Sequence, residues 1–405
     1  MSEKGSTAFG SLASQGGRPV RDTFLPIALP WMGEREKALV LESLDSGWIT
    51  TGPRTLELAA RIAERAGAKH AVCVNSATGA LHLALEALGI ADGDEAITST
   101  WTFVATVNVI EHVRARPVLV DIEPDTLNLD PAAVAAAITP RTRAIITVDY
   151  GGHPCEYDAI HALAREHGIA IIDDAAHALG AAYRGRAVGS LADITAFSFY
   201  ATKNLSTGEG GAAVTDDPAL AERIQLLSLH GMSRDAWKRY GDTGSWFYEV
   251  VAPGWKYNLS DVLAAIGVGQ MERFDEFQAR RLAIVERYQA AMADISEVRL
   301  PVARPHVTHA WHLFPIALEL DRLTIDRARF IQELRSENIG TSVHFIPIHR
   351  HPHFRDSLSL KPEQFPVAEH AYARAISLPL FPRMTDRDVD DVVDAVRKIA
   401  RAFSR

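Results

Sequence analysis

Short apolar runs alternate with stretches of helical periodicity along most of the chain. AVCVN (71–75), PVLVD (117–121), AIITVD (144–149), IAIID (169–173), ITAFSF (194–199) and AAVT (212–215) are β-rich segments bounded by turn or polar residues, the pattern of buried strands. After the first run, Leu81, Leu85 and Leu88 recur at i, i+4 and i+7, which predicts a helix with one apolar face. Strands alternating with helices predict βαβ units and a mostly parallel sheet, whose ligand site lies at the carboxyl ends of the strands. Asp121, Asp149, Asp173 and Asp174 fall at those ends.

The later chain reads differently. From residue 261, DVLAAIGVGQMERFDEFQARRLAIVERYQAAM predicts long amphipathic helices of the kind that lead from a large unit into a smaller one. AWHLFPIALEL and TSVHFIPIH alternate apolar and polar residues, and DVDDVVDAVRKIARAF predicts a closing helix. The expected organisation is a flexible tail over 1–24, a large α/β domain with helices flanking its sheet over 25–290, and a small α+β domain over 291–405.

Composition narrows the class. With 405 residues, 47% hydrophobic and 23% charged, the chain is an ordinary globular protein rather than a disordered, collagenous or disulfide-framework one. Forty-two basic against 51 acidic residues leave a net charge of −9, which argues against nucleic acid or an anionic membrane as partner. Cys73 and Cys155 have no CxxC spacing and are expected as free thiols in a reducing compartment. Residues 1–24 carry Gly, Ser and charges where a secretory signal needs an apolar core, and no apolar run approaches the ~18 residues of a membrane span. A cytoplasmic protein is expected.

Three segments carry chemistry. FSFYATKNLSTGEGG (197–211) runs from a strand into a loop holding Lys203, followed by glycines that let backbone approach a ligand closely. GEGGAA (208–213) formally matches a dinucleotide fingerprint but lacks the strand before and the helix after that the fingerprint needs. SATG (76–79) stands between a strand and a helix, where backbone N–H groups and the Thr78 hydroxyl suit a phosphate as well as a simple cap. IIDDAAHALG (171–180) ends a strand in two carboxylates, with His177 one helical turn beyond Asp174. Asp174 is expected to face the site and Asp173 to be solvated or capping. A metal reading of this pair fails for want of further ligands at suitable spacing, and the run of His344, His349, His351 and His353 invites a metal reading that Pro352 interrupts; a sugar-site or surface role is the better expectation, with His344 and His349 as the candidate sugar contacts.

Together NSATGAL, IIDDAAHALGAAYRGRAVGSLADITAFSFYATKNLSTGEGG and GWKYNLSDVLAAIGVGQ resemble the DegT/DnrJ/EryC1/StrS aminotransferases, pyridoxal 5'-phosphate (PLP) enzymes of fold type I that aminate keto-sugars. The resemblance runs from about residue 25 to the C-terminus and includes LPIALPWMGEREKALVLESLDSGWITTGP, HAWHLF, GTSVHF and SLPLFP. It implies that Lys203 carries the cofactor, that Asp174 faces its pyridine nitrogen, and that His177 stands beside its phenolic oxygen. It further implies a phosphate cradle of Thr78, Gly79 and Ser198, an aromatic stack by Phe103, and a homodimer with shared active sites in which Lys256 or Asn258 reaches the neighbouring phosphate.

Asp149 and Tyr200 depart from the family pattern, which often has His at both positions. HAWHLF, GTSVHF, SLPLFP and the GEGG ending look most like the 4-keto-sugar branch. The implied reaction moves the amino group of L-glutamate to a nucleotide-linked 4-keto-sugar; Arg234, Lys238 and Arg239 read equally well as contacts to the diphosphate and as a solvated charged loop. The alternatives are amination at C3, amination of a cyclitol ketone, or a PLP-binding regulatory protein without turnover.

Overall fold

A computed structural model describes residues 10–232 and 247–405. Its strands are β1 (His70–Val74), β2 (Glu95–Ser99), β3 (Arg116–Val120), β4 (Thr142–Val148), β5 (Ala170–Asp174), β6 (Ala182–Tyr183), β7 (Arg186–Ala187), β8 (Ile194–Ser198), β9 (Gly211–Thr215), β10 (Val298–Arg299), β11 (Val307–Thr308), β12 (Phe314–Leu318) and β13 (Ala375–Leu378). Seven of them form one sheet in the order β1-β9-β8-β5-β4-β2-β3. Only β9 opposes the others, pairing antiparallel with both β1 and β8. This is the mostly parallel α/β sheet that the strand–helix alternation predicts.

Side chains alternate across that sheet with the strand period of two, and helices cover both faces. Ile145, Ile171 and Phe197 join one apolar core, whereas Ile146, Ile172 and Ala196 join the other. Adjacent residues at the strand ends therefore face opposite sides: Asp174 and Ser198 share the side of Ile172 and Ala196, and Asp173 goes the other way.

One strand was not expected. EAITS forms β2, buried along its whole length between β3 and β4, yet Glu95, Thr98 and Ser99 interrupt its apolar pattern. The polar groups are satisfied locally: Glu95 accepts from Thr139 and Arg141, and Thr98 donates to the Ile146 carbonyl.

The stretch from residue 261 forms two helices, Asp261–Glu272 and Phe274–Met292, which meet at Arg273. The second begins with Phe274 in the core beside the large sheet and ends with Tyr288 and Met292 in a separate core. There the antiparallel sheet β10-β12-β13 contributes Phe314 and Ile376, and the helix Asp386–Phe403 contributes Val392 and Val396.

Residues 10–24 are docked on this second core rather than free, a correction to the flexible tail expected over 1–24. Leu12 is buried in it, and Glu337 accepts hydrogen bonds from the backbone N–H groups of Ala13 and Val20. Lys398 donates to both Glu337 and the Arg18 carbonyl. Gly/Ser-rich composition conceals such docking because backbone groups make part of it: the N–H groups of Ala13 and Val20 and the Arg18 carbonyl. Among the described residues no helix is long and apolar enough to cross a membrane.

Candidate active site

A cavity of about 360 Å³ opens where the sheet's strands end, lined in part by Ser76, Thr78, Phe103, Asp174, His177, Ser198, Tyr200, Lys203, His312, His344 and Phe345. It gathers three of the sequence segments singled out above, from β1, β5 and β8.

After β1 the chain passes through Ser76 into the helix Ala77–Ala87, whose first turn faces the cavity. The Ser76 hydroxyl caps that helix by accepting the Gly79 N–H at 3.0 Å. The positive end of the helix dipole and the Thr78 side chain remain at the cavity wall, an arrangement that favours an anion. Ser198, the last residue of β8, lies on the same wall.

Asp174 ends β5. Its carboxylate accepts the Thr106 hydroxyl at 2.7 Å and the Ala176 N–H at 3.2 Å. Burial raises its pKa, while those two donors and the charge of Lys203 oppose the rise. Lys203 sits in the loop after β8, and burial lowers its amine to about 8, with Asp174 as the opposing influence. His177 accepts the Gly151 N–H at Nδ1, 3.2 Å away, so its proton sits on Nε2. Burial, then Lys203 and His344, hold that imidazole neutral. Gly151 adopts φ +64°, a left-handed conformation natural to glycine, and its carbonyl accepts the His312 backbone N–H.

These residues fit a pyridoxal phosphate. A buried carboxylate held by neutral donors suits a cationic ring nitrogen, the helix terminus suits a phosphate, and an amine lowered to about 8 suits covalent attachment. Phe103, 58% exposed at the start of the helix Val104–His112, offers an aromatic face 6.0 Å from the Phe345 ring.

Other expected residues lie elsewhere. Gly79 stands behind the lining, its N–H taken by Ser76. Lys256 donates to Asn258 Oδ1 at 2.6 Å and Asn258 to Thr51 at 2.7 Å; their segment bridges to Val74 at the end of β1 without lining this chain's cavity. Arg234, Lys238 and Arg239 lie outside the described residues.

Two expectations are corrected. His349 is buried away from the cavity, hydrogen-bonded to Thr100 at 2.7 Å and Glu369 at 2.6 Å, so it cannot contact a substrate there. Asp173 is neither solvated nor capping. It is completely buried on the far face of the sheet, accepting the Thr147 hydroxyl at 3.1 Å. Burial and the neighbouring Asp149 and Asp174 push its carboxyl well above the usual range. Thr106, Gly151, His312 and Phe345 belong to the site but were not singled out in the sequence. Thr106 sits one helical turn after Phe103 in WTFVATVN, a spacing that could have revealed it.

Among the described residues no group of three or more His, Cys, Asp or Glu side chains is placed to hold a metal ion.

Known proteins resemble the chain over nearly its whole length. It is 50% identical over 382 residues to the spore coat polysaccharide biosynthesis protein SpsC of Bacillus subtilis, covering 94% of this chain and 98% of that protein. Spr1654 of Streptococcus pneumoniae, solved in PLP and PMP forms, superposes with a TM-score of 0.88 at 34% identity, over 94% of this chain and 98–99% of that one. DesI, solved with its TDP-sugar product, superposes with a TM-score of 0.86 at 34% identity over 96% of each chain. The family model of the DegT/DnrJ/EryC1/StrS aminotransferases matches residues 30–397. With this fold, this cavity and these matches, the chain belongs to the DegT/DnrJ/EryC1/StrS aminotransferase family and is a PLP-dependent sugar aminotransferase.

Proposed function

We propose that the protein transfers the amino group of L-glutamate to C4 of a nucleotide-diphosphate-linked 4-keto-sugar, giving a 4-amino-sugar nucleotide and 2-oxoglutarate. The observation that carries the catalytic assignment is the placement of Lys203 and Asp174 on one cavity with the N-terminus of the helix Ala77–Ala87. When bound, PLP supplies the electron-accepting ring that makes an amino acid's α-proton removable.

The chain's residues do the rest. Ser76–Thr78 and Ser198 would hold the phosphate, Phe103 would cover one ring face, and His177 would offer its Nε2–H to the phenolic oxygen. Asp174, oriented by Thr106 and the Ala176 N–H, keeps a cation paired at the ring nitrogen. Lys203 would hold the cofactor through its amine, and the free amine would move a proton at the reacting carbon. A pKa near 8 keeps its free-base form accessible at neutral pH.

The nucleotide-sugar reading draws on the structure of DesI in the presence of its TDP-sugar product, and a polysaccharide destination draws on the name of SpsC. The preference for C4 draws on HAWHLF, GTSVHF and SLPLFP. The proposal includes a cytoplasmic homodimer with shared sites, a large cofactor-binding unit over 25–290 and a small unit over 291–405, and diphosphate contacts from Arg234 and Lys238. Borohydride treatment of the PLP-loaded protein tests the catalytic assignment: the cofactor is expected on the peptide containing Lys203, and fixation on another lysine would overturn it.

A further inference from the structure

Two threonine hydroxyls lead to Asp174, and their hydrogen bonds have a direction. Thr106 Oγ1 lies 2.7 Å from Asp174 Oδ2 and 2.7 Å from Thr102 Oγ1. A hydroxyl has one proton and a carboxylate can only accept, so the Thr106 proton goes to Asp174. Thr106 then has only lone pairs to offer Thr102, and the Thr102 hydroxyl must be the donor of the second bond. The chain of bonds therefore runs one way, from Thr102 through Thr106 to Asp174. Both threonines are buried, Thr106 completely, so neither hydroxyl has bulk water as an alternative partner. The other carboxylate oxygen of Asp174 accepts the Ala176 N–H at 3.2 Å.

Thr102 precedes the helix Val104–His112 and Thr106 lies in its first turn, with Phe103 between them. One turn of chain thus carries the aromatic at the cavity and both hydroxyls, and Thr102 lines the cavity as well. A threonine in a helix commonly bends its hydroxyl back onto a carbonyl one turn earlier. Thr106 reaches across to the end of β5 instead. Burial works against an ionised Asp174, and the Thr106 hydroxyl is the largest influence opposing it, ahead of the Ala176 N–H and the charge of Lys203. A hydroxyl that accepts one hydrogen bond donates the next more strongly, so Thr102 adds to that effect and leaves the Thr106 rotor a single orientation.

We infer that Thr102 and Thr106 are positioning residues, a directed pair of hydroxyls that aims the Asp174 carboxylate and keeps it ionised toward the ring nitrogen of PLP. Without them Asp174 is a stronger base and draws the proton it shares with that nitrogen toward itself. The inference rests on the proposed role of Asp174.

Protein loaded with PLP carrying 15N in its ring tests this, because the 15N chemical shift reads whether the ring nitrogen holds the proton. Wild type should show a protonated ring nitrogen. Thr106→Val keeps the shape and removes the hydroxyl. Its signal should move toward the unprotonated position, and the glutamate half-reaction, followed in single turnover, should slow about tenfold or more, the scale of one lost hydrogen bond to a charged group. Thr106→Ser restores the hydroxyl and should recover most of both. Thr102→Val keeps the bond to Asp174 and loses only the donor behind it, so its signal should move the same way by less.

A wild-type shift in Thr106→Val, or a Thr106→Ser that moves as far as Thr106→Val, would overturn the inference and leave the threonines packing residues. An unchanged shift in Thr102→Val would overturn it too, whether or not Thr106→Val folds. An unprotonated ring nitrogen in wild type would instead overturn the role of Asp174 itself, so the two failures are distinguishable.

Discussion

Lys203 and Asp174 line one cavity, and each shifts the other's ionisation. Lys203→Ala should still bind PLP through the phosphate cradle and ring contacts, yet lose at least about 10³-fold in turnover, since attachment and proton transfer both need the amine. Absorbance titration with PLP and steady-state kinetics read the two effects separately. Asp174→Asn should fold normally and lose at least about 10²-fold, the scale of one lost preorganised electrostatic contact. Near-wild-type turnover would remove Asp174 from its role. Asp173 is a different case. Unfolded, it and Asp149 ionise near pH 4; folded, burial raises both, helped by the charge of Asp174 at Asp149 and by those of Asp149 and Asp174 at Asp173, and takes Asp149 to about 7. The folded state then holds more protons than the unfolded one, so this pair contributes a loss of stability as pH rises from about 4 to about 7. Asp173→Asn removes one acid of the pair. Its melting temperature should therefore gain on wild type across that window, with turnover far less affected than in Asp174→Asn; a difference between the two proteins that does not vary with pH would contradict this. The sequence already contained the distinction between these aspartates. Ile171 and Asp173 share one strand face and Ile172 and Asp174 the other, but strand-end position alone conceals which face carries the cavity. His349 was illegible for another reason: its burial depends on Glu369 and Thr100, distant in sequence.

At the scale of elements, the Tyr150–Gly152 turn joins the sheet to the second core. Gly151 donates to His177, its carbonyl accepts from His312 and Leu313, and Tyr150 donates to the His344 carbonyl at 2.6 Å. Gly151→Ala would place a Cβ 3.7 Å from that of Leu313, an ordinary contact, so its penalty is conformational. Holding φ +64° with a side chain should cost about 1–2 kcal/mol in urea unfolding. Because His177 and His312 both hang on this turn, the absorbance spectrum of bound PLP should shift as well. An unchanged spectrum would show that the turn does not position them. Most strands of the large sheet were legible because buried parallel strands are continuous apolar runs. β2 was not, since its polar residues are satisfied by Thr139, Arg141 and a neighbouring strand's carbonyl. The Lys203 loop, the SATG turn and the β5 end were legible because their residue types carry chemistry. His312 was concealed because only tertiary structure brings it to the cavity and to Asn204.

Across the whole molecule, the proposed dimer completes each site from the second subunit. Mixing Lys203→Ala with a Lys256→Ala/Asn258→Ala variant under subunit exchange should restore one intact site in each mixed dimer. With random pairing that is about one quarter of the wild-type sites. No recovery would contradict shared sites. Arg234 and Lys238 are proposed to contact the diphosphate, so neutralising both should raise KM for the nucleotide sugar and spare the glutamate half-reaction; equal damage to both half-reactions would point to a structural role. The reaction itself is tested most directly by incubating the PLP-loaded protein with [15N]glutamate and a nucleotide-linked 4-keto-sugar, then locating the label by NMR. The expected result is 2-oxoglutarate together with 15N bonded to C4 of the sugar. Label at C3, or label retained entirely in glutamate across a panel of nucleotide-linked 4-keto-sugars, would contradict it.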